Sequence, residues 1–162
     1  MSKKENIASV TQIENNGPAE KNSSVALQKT SNGFDIYRDE ATGETLGIVW
    51  GSFVVLKKTS AERLNWRDAE AYCQTVVVNG VTAELFPILP TERERPAEDT
   101  RELAAALAEI GAVNLDSPTW CQSYKSQPPE LYAWYLWFGV RLSNGCKCDY
   151  KFHVRPVLRL RK

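Results

Sequence analysis

The run Leu131-Tyr132-Ala133-Trp134-Tyr135-Leu136-Trp137-Phe138 constrains this chain more than any other stretch. On an extended backbone side chains alternate, so Leu131, Ala133, Tyr135 and Trp137 point one way and Tyr132, Trp134, Leu136 and Phe138 the other. Both faces are apolar, which predicts a central strand buried on both sides, with Trp134 and Tyr135 in the core. Ser143-Asn144-Gly145 follows. Asn-Gly between apolar runs predicts a type I′ turn, because both residues tolerate positive φ. Beyond it Cys146, Cys148, Tyr150, Phe152 and Val154 alternate with Lys147, Asp149, Lys151, His153 and Arg155. That period of two predicts one buried face and one wet face. The expected unit is a C-terminal β-hairpin, 131–138 against 146–154, closed by Asn144-Gly145.

Upstream, Phe34–Arg38 predicts a short strand and Asp39–Gly43 a turn. Thr45–Trp50 and Ser52–Lys58 are two β-rich runs split by Gly51, a bend or bulge signal. Asn65 is the expected N-cap of a first helix, with Trp66, Ala69 and Cys73 on one face. That helix gives way at Val76-Val77-Val78, before Asn79-Gly80. A second helix is signalled by Asp99 with Glu102 as its cap, by the stripe Leu103, Ala106, Leu107 and Ile110, and by Gly111 at its end. Pro96 separates it from a turn at Thr91–Glu94. Two helices and a late aromatic hairpin predict an α+β domain, with the helices packed on an antiparallel sheet.

All sixteen aromatic residues lie at or after Phe34. Residues 1–33, rich in Asn, Ser, Lys and Glu, have too little apolar surface to offset their ordering entropy. They are expected to form a flexible arm that attaches to a larger assembly, with 34–162 as the folded domain. Formal net charge is zero. Residues 84–109 carry seven acids against three bases, and 141–162 seven bases against one acid. Strand alternation puts Lys147, Lys151 and Arg155 on the wet face, so the basic excess requires no nucleic acid. The start Met1-Ser2-Lys3-Lys4-Glu5-Asn6 has no apolar h-region, and no stretch approaches the roughly 18 apolar residues of a membrane span. The expectation is cytoplasmic synthesis without membrane association, with release as part of a virion or particle surface.

Without an export signal, Cys73, Cys121, Cys146 and Cys148 are expected to be reduced thiols acting as small buried hydrophobes. One Cys-x-Cys does not make a zinc site. His153, the single histidine, has no nominated nucleophile or acid beside it, and a hydrogen-bonded structural role outweighs a catalytic one. No cofactor, metal or catalytic residue is expected.

Six motifs, in order, carry a resemblance: Leu64-Asn65-Trp66-Arg67-Asp68-Ala69 with Tyr72-Cys73; Ile88-Leu89-Pro90-Thr91 with Glu94; Thr119-Trp120-Cys121-Gln122-Ser123; Ala133-Trp134-Tyr135-Leu136; Asn144-Gly145; and Val154-Arg155-Pro156-Val157. Over residues 46–160 the chain resembles C-type lectin-like domains of the bacterial and phage branch. That branch includes formylglycine-generating enzymes and the variable proteins diversified by retroelements. The resemblance implies irregular loops on a stiff sheet and recognition of a protein or glycan receptor. Formylglycine-generating relatives use a late cysteine pair with copper. Here Cys146 and Cys148 alternate inward with Tyr150 and Phe152, and the chain is much shorter. Calcium-dependent lectins use a Glu/Gln-Pro-Asn/Asp loop; Gln127-Pro128-Pro129 lacks the third, ligating side chain.

The expected function is therefore a non-enzymatic binding or display module, monomeric or oligomeric. A decoration protein of an assembly with no outside ligand is the alternative, and an oxidase of the formylglycine-generating type the third. Ligand contact is expected from the loop 124–130 and the wet face of the hairpin: Tyr124, Lys125, Gln127, Glu130, Arg141, Asn144, Lys147, Asp149 and Lys151.

Overall fold

The computed structural model describes residues 29–87, 96–122, 132–139, 141–146 and 150–160. Among them the chain is α+β, with two helices and antiparallel sheets. One sheet has four strands, β1 (Ile36–Arg38), β2 (Thr45–Trp50), β3 (Phe53–Leu56) and β11 (Val157–Arg159), in the order β1-β2-β3-β11. A second has β7 (Thr119–Trp120), β8 (Tyr132–Trp137) and β9 (Arg141–Cys146). Two short ribbons pair β4 (Arg63–Leu64) with β10 (Phe152–His153), and β5 (Val77–Val78) with β6 (Val81–Thr82).

Local chemistry sets the helices. Helix α1 (Trp66–Gln74) starts at Asn65, whose side chain accepts a hydrogen bond from the Asp68 N–H at 2.9 Å. This is the N-cap the sequence predicts. Helix α2 (Pro96–Glu109) starts three residues before Asp99. Proline suits the first helical turn, where its missing N–H has no intrahelical partner to lose, so Pro96 lies inside the helix rather than upstream of it. Its end is a Schellman motif. Gly111 has φ +85°, its N–H donates to Ala108 O, and the Ala112 N–H donates to Leu107 O.

Strand alternation divides the interior in two. Phe53, Val55, Val157, Cys121 and Leu136 face α2 through Leu103, Ala106 and Leu107. Val54, Leu56, Leu158, Trp120, Ala133 and Tyr135 face α1 through Ala69 and Cys73. Strand β8 thus has a core on each side, as its sequence predicts. Segment 83–87 straps the two sheets together: Glu84 bridges to Val157 and Phe86 to Cys121.

The hairpin differs from expectation. Strand β8 pairs with β9 from Tyr132↔Cys146 to Trp137↔Arg141, so the chain reverses between Trp137 and Arg141. Gly139, at φ +74°, supplies the left-handed residue there, and its N–H donates to the buried Thr100 hydroxyl. Asn144 and Gly145 lie within β9, opposite Trp134 and Ala133. No single strand covers 146–154: β9 ends at Cys146, and Phe152–His153 pairs instead with Arg63–Leu64. The alternation inferred for that stretch fails accordingly. Tyr150, expected inside, is 46% exposed, and Arg155, expected on the wet face, is 1% exposed. The Asn-Gly pair that does form a two-residue turn is Asn79-Gly80, with φ +49° and +80°, between Val78 and Val81.

Residues 29–33, on the arm side of the boundary expected at 33/34, are bonded to the domain. Thr30 is buried, Ser31 donates to Glu109, and the Asn32 side chain donates to Glu102 O. Among the described residues no helix is long and apolar enough to cross a membrane.

Candidate functional site

A groove of about 360 Å³ opens beside α1. One stripe of that helix lines it, Trp66, Glu70, Cys73 and Gln74, at the spacing of four, three and one that keeps side chains on one helical face. Glu84, Leu85 and Gln122 form the opposite side. This size suits a small ligand or a single side chain of a partner.

The strap side is rigid. The Glu84 backbone exchanges two hydrogen bonds with Val157, N to O at 2.8 and 2.9 Å. Its carboxylate accepts from Arg159 Nε and Nη2 at 3.1 and 2.9 Å, and from Gln122 Nε2 at 3.0 Å. The Gln122 N–H donates to Phe86 O at 2.9 Å. On the helix side, Trp66 Nε1 donates to Cys121 O at 2.9 Å, fixing the indole edge. Glu70 and Gln74 form the exposed rim, whereas Leu85 and Cys73 are buried at the base. Burial, then the carboxylates of Glu70 and Glu84, push the Cys73 thiol up to about 12. At neutral pH it is a protonated thiol and a poor nucleophile.

A second exposed feature is aromatic. Tyr150 caps a cluster in which its ring lies 6.1 Å from those of Tyr135 and Phe152, with Trp120 4.9 Å from Phe152 beneath. His153 Nδ1 donates to Ser60 O at 3.1 Å, the hydrogen-bonded structural role expected of it. Cys73 and Cys121 are buried free thiols.

Of the nine expected contact residues, Tyr124, Lys125, Gln127, Glu130, Lys147 and Asp149 lie outside the described residues. Arg141 and Asn144 belong to β9, and Lys151 is exposed beside β10. Strand β9 pairs with β8, whereas β10, next to Lys151, pairs with β4. Sequence reasoning missed the groove. The helical spacing of Trp66, Glu70, Cys73 and Gln74 was visible, but the face opposite them depends on where the 83–87 strap runs, which no local pattern encodes.

Comparison of the chain with protein-family models, with curated proteins and with solved structures finds no match.

Proposed function

We propose that this chain is a non-enzymatic recognition module, an α+β domain of the C-type lectin-like kind. A rigid frame carries a contact surface at the groove and along residues 123–131. The observation that carries this reading is Gln122. It lines the groove, is bonded to Phe86 and Glu84, and is the point from which the chain leaves β7 for 123–131. The next described element in sequence is β8, which has a core on both sides. Tyr124, Lys125, Gln127 and Glu130 lie in sequence between Gln122 and β8, and they are the contact residues this reading names. Tyrosine with small polar and charged neighbours suits a recognition surface.

The cysteine and histidine chemistry fits binding better than catalysis. Cys73 is held as a thiol, and the Nδ1 of His153 is occupied by a backbone carbonyl. The partner class is a protein or glycan on another cell or particle, and residues 1–28 tether the domain to its own assembly.

Exchanging residues 124–130 for a Gly-Ser segment of equal length tests this. The labelled chain is applied to a glycan array and to intact cells, and its thermal midpoint is measured. Loss of binding at an unchanged midpoint supports recognition. Binding that survives the exchange, or absence of binding by the unaltered chain, leaves a decoration role instead.

A further inference from the structure

Among the described residues, the groove beside α1 is lined by two carboxylates and no cation. Glu84 has a partner, Arg159, which approaches from outside the lining. The Glu70 carboxylate makes no hydrogen bond or ion pair among the described residues. Beneath them sits Cys73, 1% exposed, whose Sγ–H makes no hydrogen bond among the described residues and faces the cavity. The field of Glu70 and Glu84 reaches this thiol, since both help to hold it protonated. Leu85 and the half-buried Trp66 add apolar wall. An unpaired carboxylate at the rim, a thiol without a partner at the base and apolar sides between them fit an elongated ligand with a positive end.

We propose that this groove binds a basic side chain, lysine or arginine, of a partner polypeptide. The aliphatic stem lies along Trp66 and Leu85, and the charged head lies between Glu70 and Glu84. The inference rests on the recognition reading and names the partner's chemistry. An acidic ligand would meet the like charge of Glu70, and a neutral apolar one would leave that carboxylate unpaired beside it.

The full chain, labelled with ¹⁵N, is titrated with Nα-acetyl-lysine N-methylamide while the Trp66 indole and Gln122 side-chain amide signals are followed. Saturable shifts of both signals are expected. The norleucine analogue, which keeps the stem and removes the charge, should bind several-fold more weakly, and the glutamate analogue should not bind. Glu70→Gln should weaken the lysine probe about two- to five-fold, the range for one partly exposed ion pair. Because Glu70 is exposed, this variant keeps its fold, and its spectrum verifies that. Equal binding of norleucine and lysine overturns the proposal, as does the absence of shifts with every probe. Saturation by spermidine but not by the lysine amide assigns the groove to a free polyamine and overturns the polypeptide partner. If the Gly-Ser exchange of 124–130 abolishes receptor binding while the lysine amide leaves Trp66 and Gln122 unmoved, recognition stands and this groove proposal falls.

Discussion

Arg155 holds backbone carbonyls from two separated stretches of chain. Its Nη1 donates to Leu56 O at 3.0 Å and Lys57 O at 2.9 Å, its Nη2 donates to Val113 O, and its guanidinium lies 5.9 Å from the Phe138 ring. Burial pulls its pKa down to about 10, so it remains charged at neutral pH. The desolvation cost is offset by the carbonyls it satisfies. Arg155→Met should lower unfolding stability by about 2–4 kcal/mol in urea, because those oxygens lose a buried donor. A variant as stable as the original would refute the role. Cys73 carries a pH signature. Its native thiol is held near 12, whereas an unfolded thiol titrates near ~8.5. The neutral thiol's contribution is fully present below about pH 8.5 and fades as pH rises toward 12, because only the unfolded chain ionises in that window. Cys73→Ala should lower stability at pH 7 through the cavity it leaves, yet flatten the alkaline decline. Parallel pH curves for the two proteins would rule this out. Gly47 shows a steric limit. A Cβ there would run into the Val55 carbonyl and sit 3.1 Å from Leu56 Cα, so Gly47→Ala should cost about 1–3 kcal/mol in the same assay.

At the scale of elements, the chain has three Asn-Gly pairs. Asn32-Gly33 closes the turn before β1. Of the other two, which had equal local claims to a hairpin turn, only one makes it. Asn79-Gly80 turns because its flanking strands are two residues long and nothing competes. The Asn79 amide also docks the tip, donating to Tyr37 Oη and Arg38 O and accepting from the Glu40 N–H. Asn144-Gly145 loses to long-range pairing. Reversing near Gly139 keeps β8 and β9 in register over six pairs and keeps β8 between both cores. Local turn preference is about 1 kcal/mol, and a six-pair ladder on a doubly buried strand outweighs it. The helices were legible because a cap, a stripe and a C-terminal glycine lie within one short window. The segment 146–154 was not, because Cys146 pairs with β8 whereas Phe152–His153 pairs with β4, so its apparent period of two does not describe one strand. Gly80→Ala and Gly139→Ala should each cost about 1–2 kcal/mol, the penalty for an L side chain at positive φ. Neither position offers a serious clash to confuse the result: the nearest atom to a Cβ at Gly139 is 3.7 Å away, and Gly80 is open. A negligible cost at Gly139 would argue against a reversal there.

At the scale of the molecule, the fold is closed by contacts between distant parts of the chain, and one of these sets its N-terminal limit. Composition alone draws the boundary at the first aromatic, Phe34, because low apolarity marks the residues before it. Polar residues can still be structural when they bond to the domain, and four of them do so here, together with Gly33. Thr30 is 5% exposed and its N–H donates to Phe34 O at 2.8 Å, Ser31 N and Oγ donate to Glu109, and Lys29 pairs with Asp35. Asn32 reaches the Glu102 carbonyl, and Gly33 takes φ +94° to close the turn. Two truncations separate composition from contact. Removing residues 1–28 should leave the thermal midpoint of the domain unchanged. Removing 1–33 should lower it by about 3–8 °C, the effect of about 1–2 kcal/mol on a domain of this size. The gap between the truncated chains carries a pH dependence through Glu109. The Ser31 hydroxyl and N–H hold its carboxyl below the usual range, so this contribution is present above the unfolded value of about 4.3 and is lost as pH falls through the native one. Thermal melts of both chains at neutral pH and near pH 3 should show the gap narrowing in acid. Equal midpoints at neutral pH would mean that residues 29–33 lie on the domain without stabilising it, and a gap that persists in acid would remove Glu109 from the account.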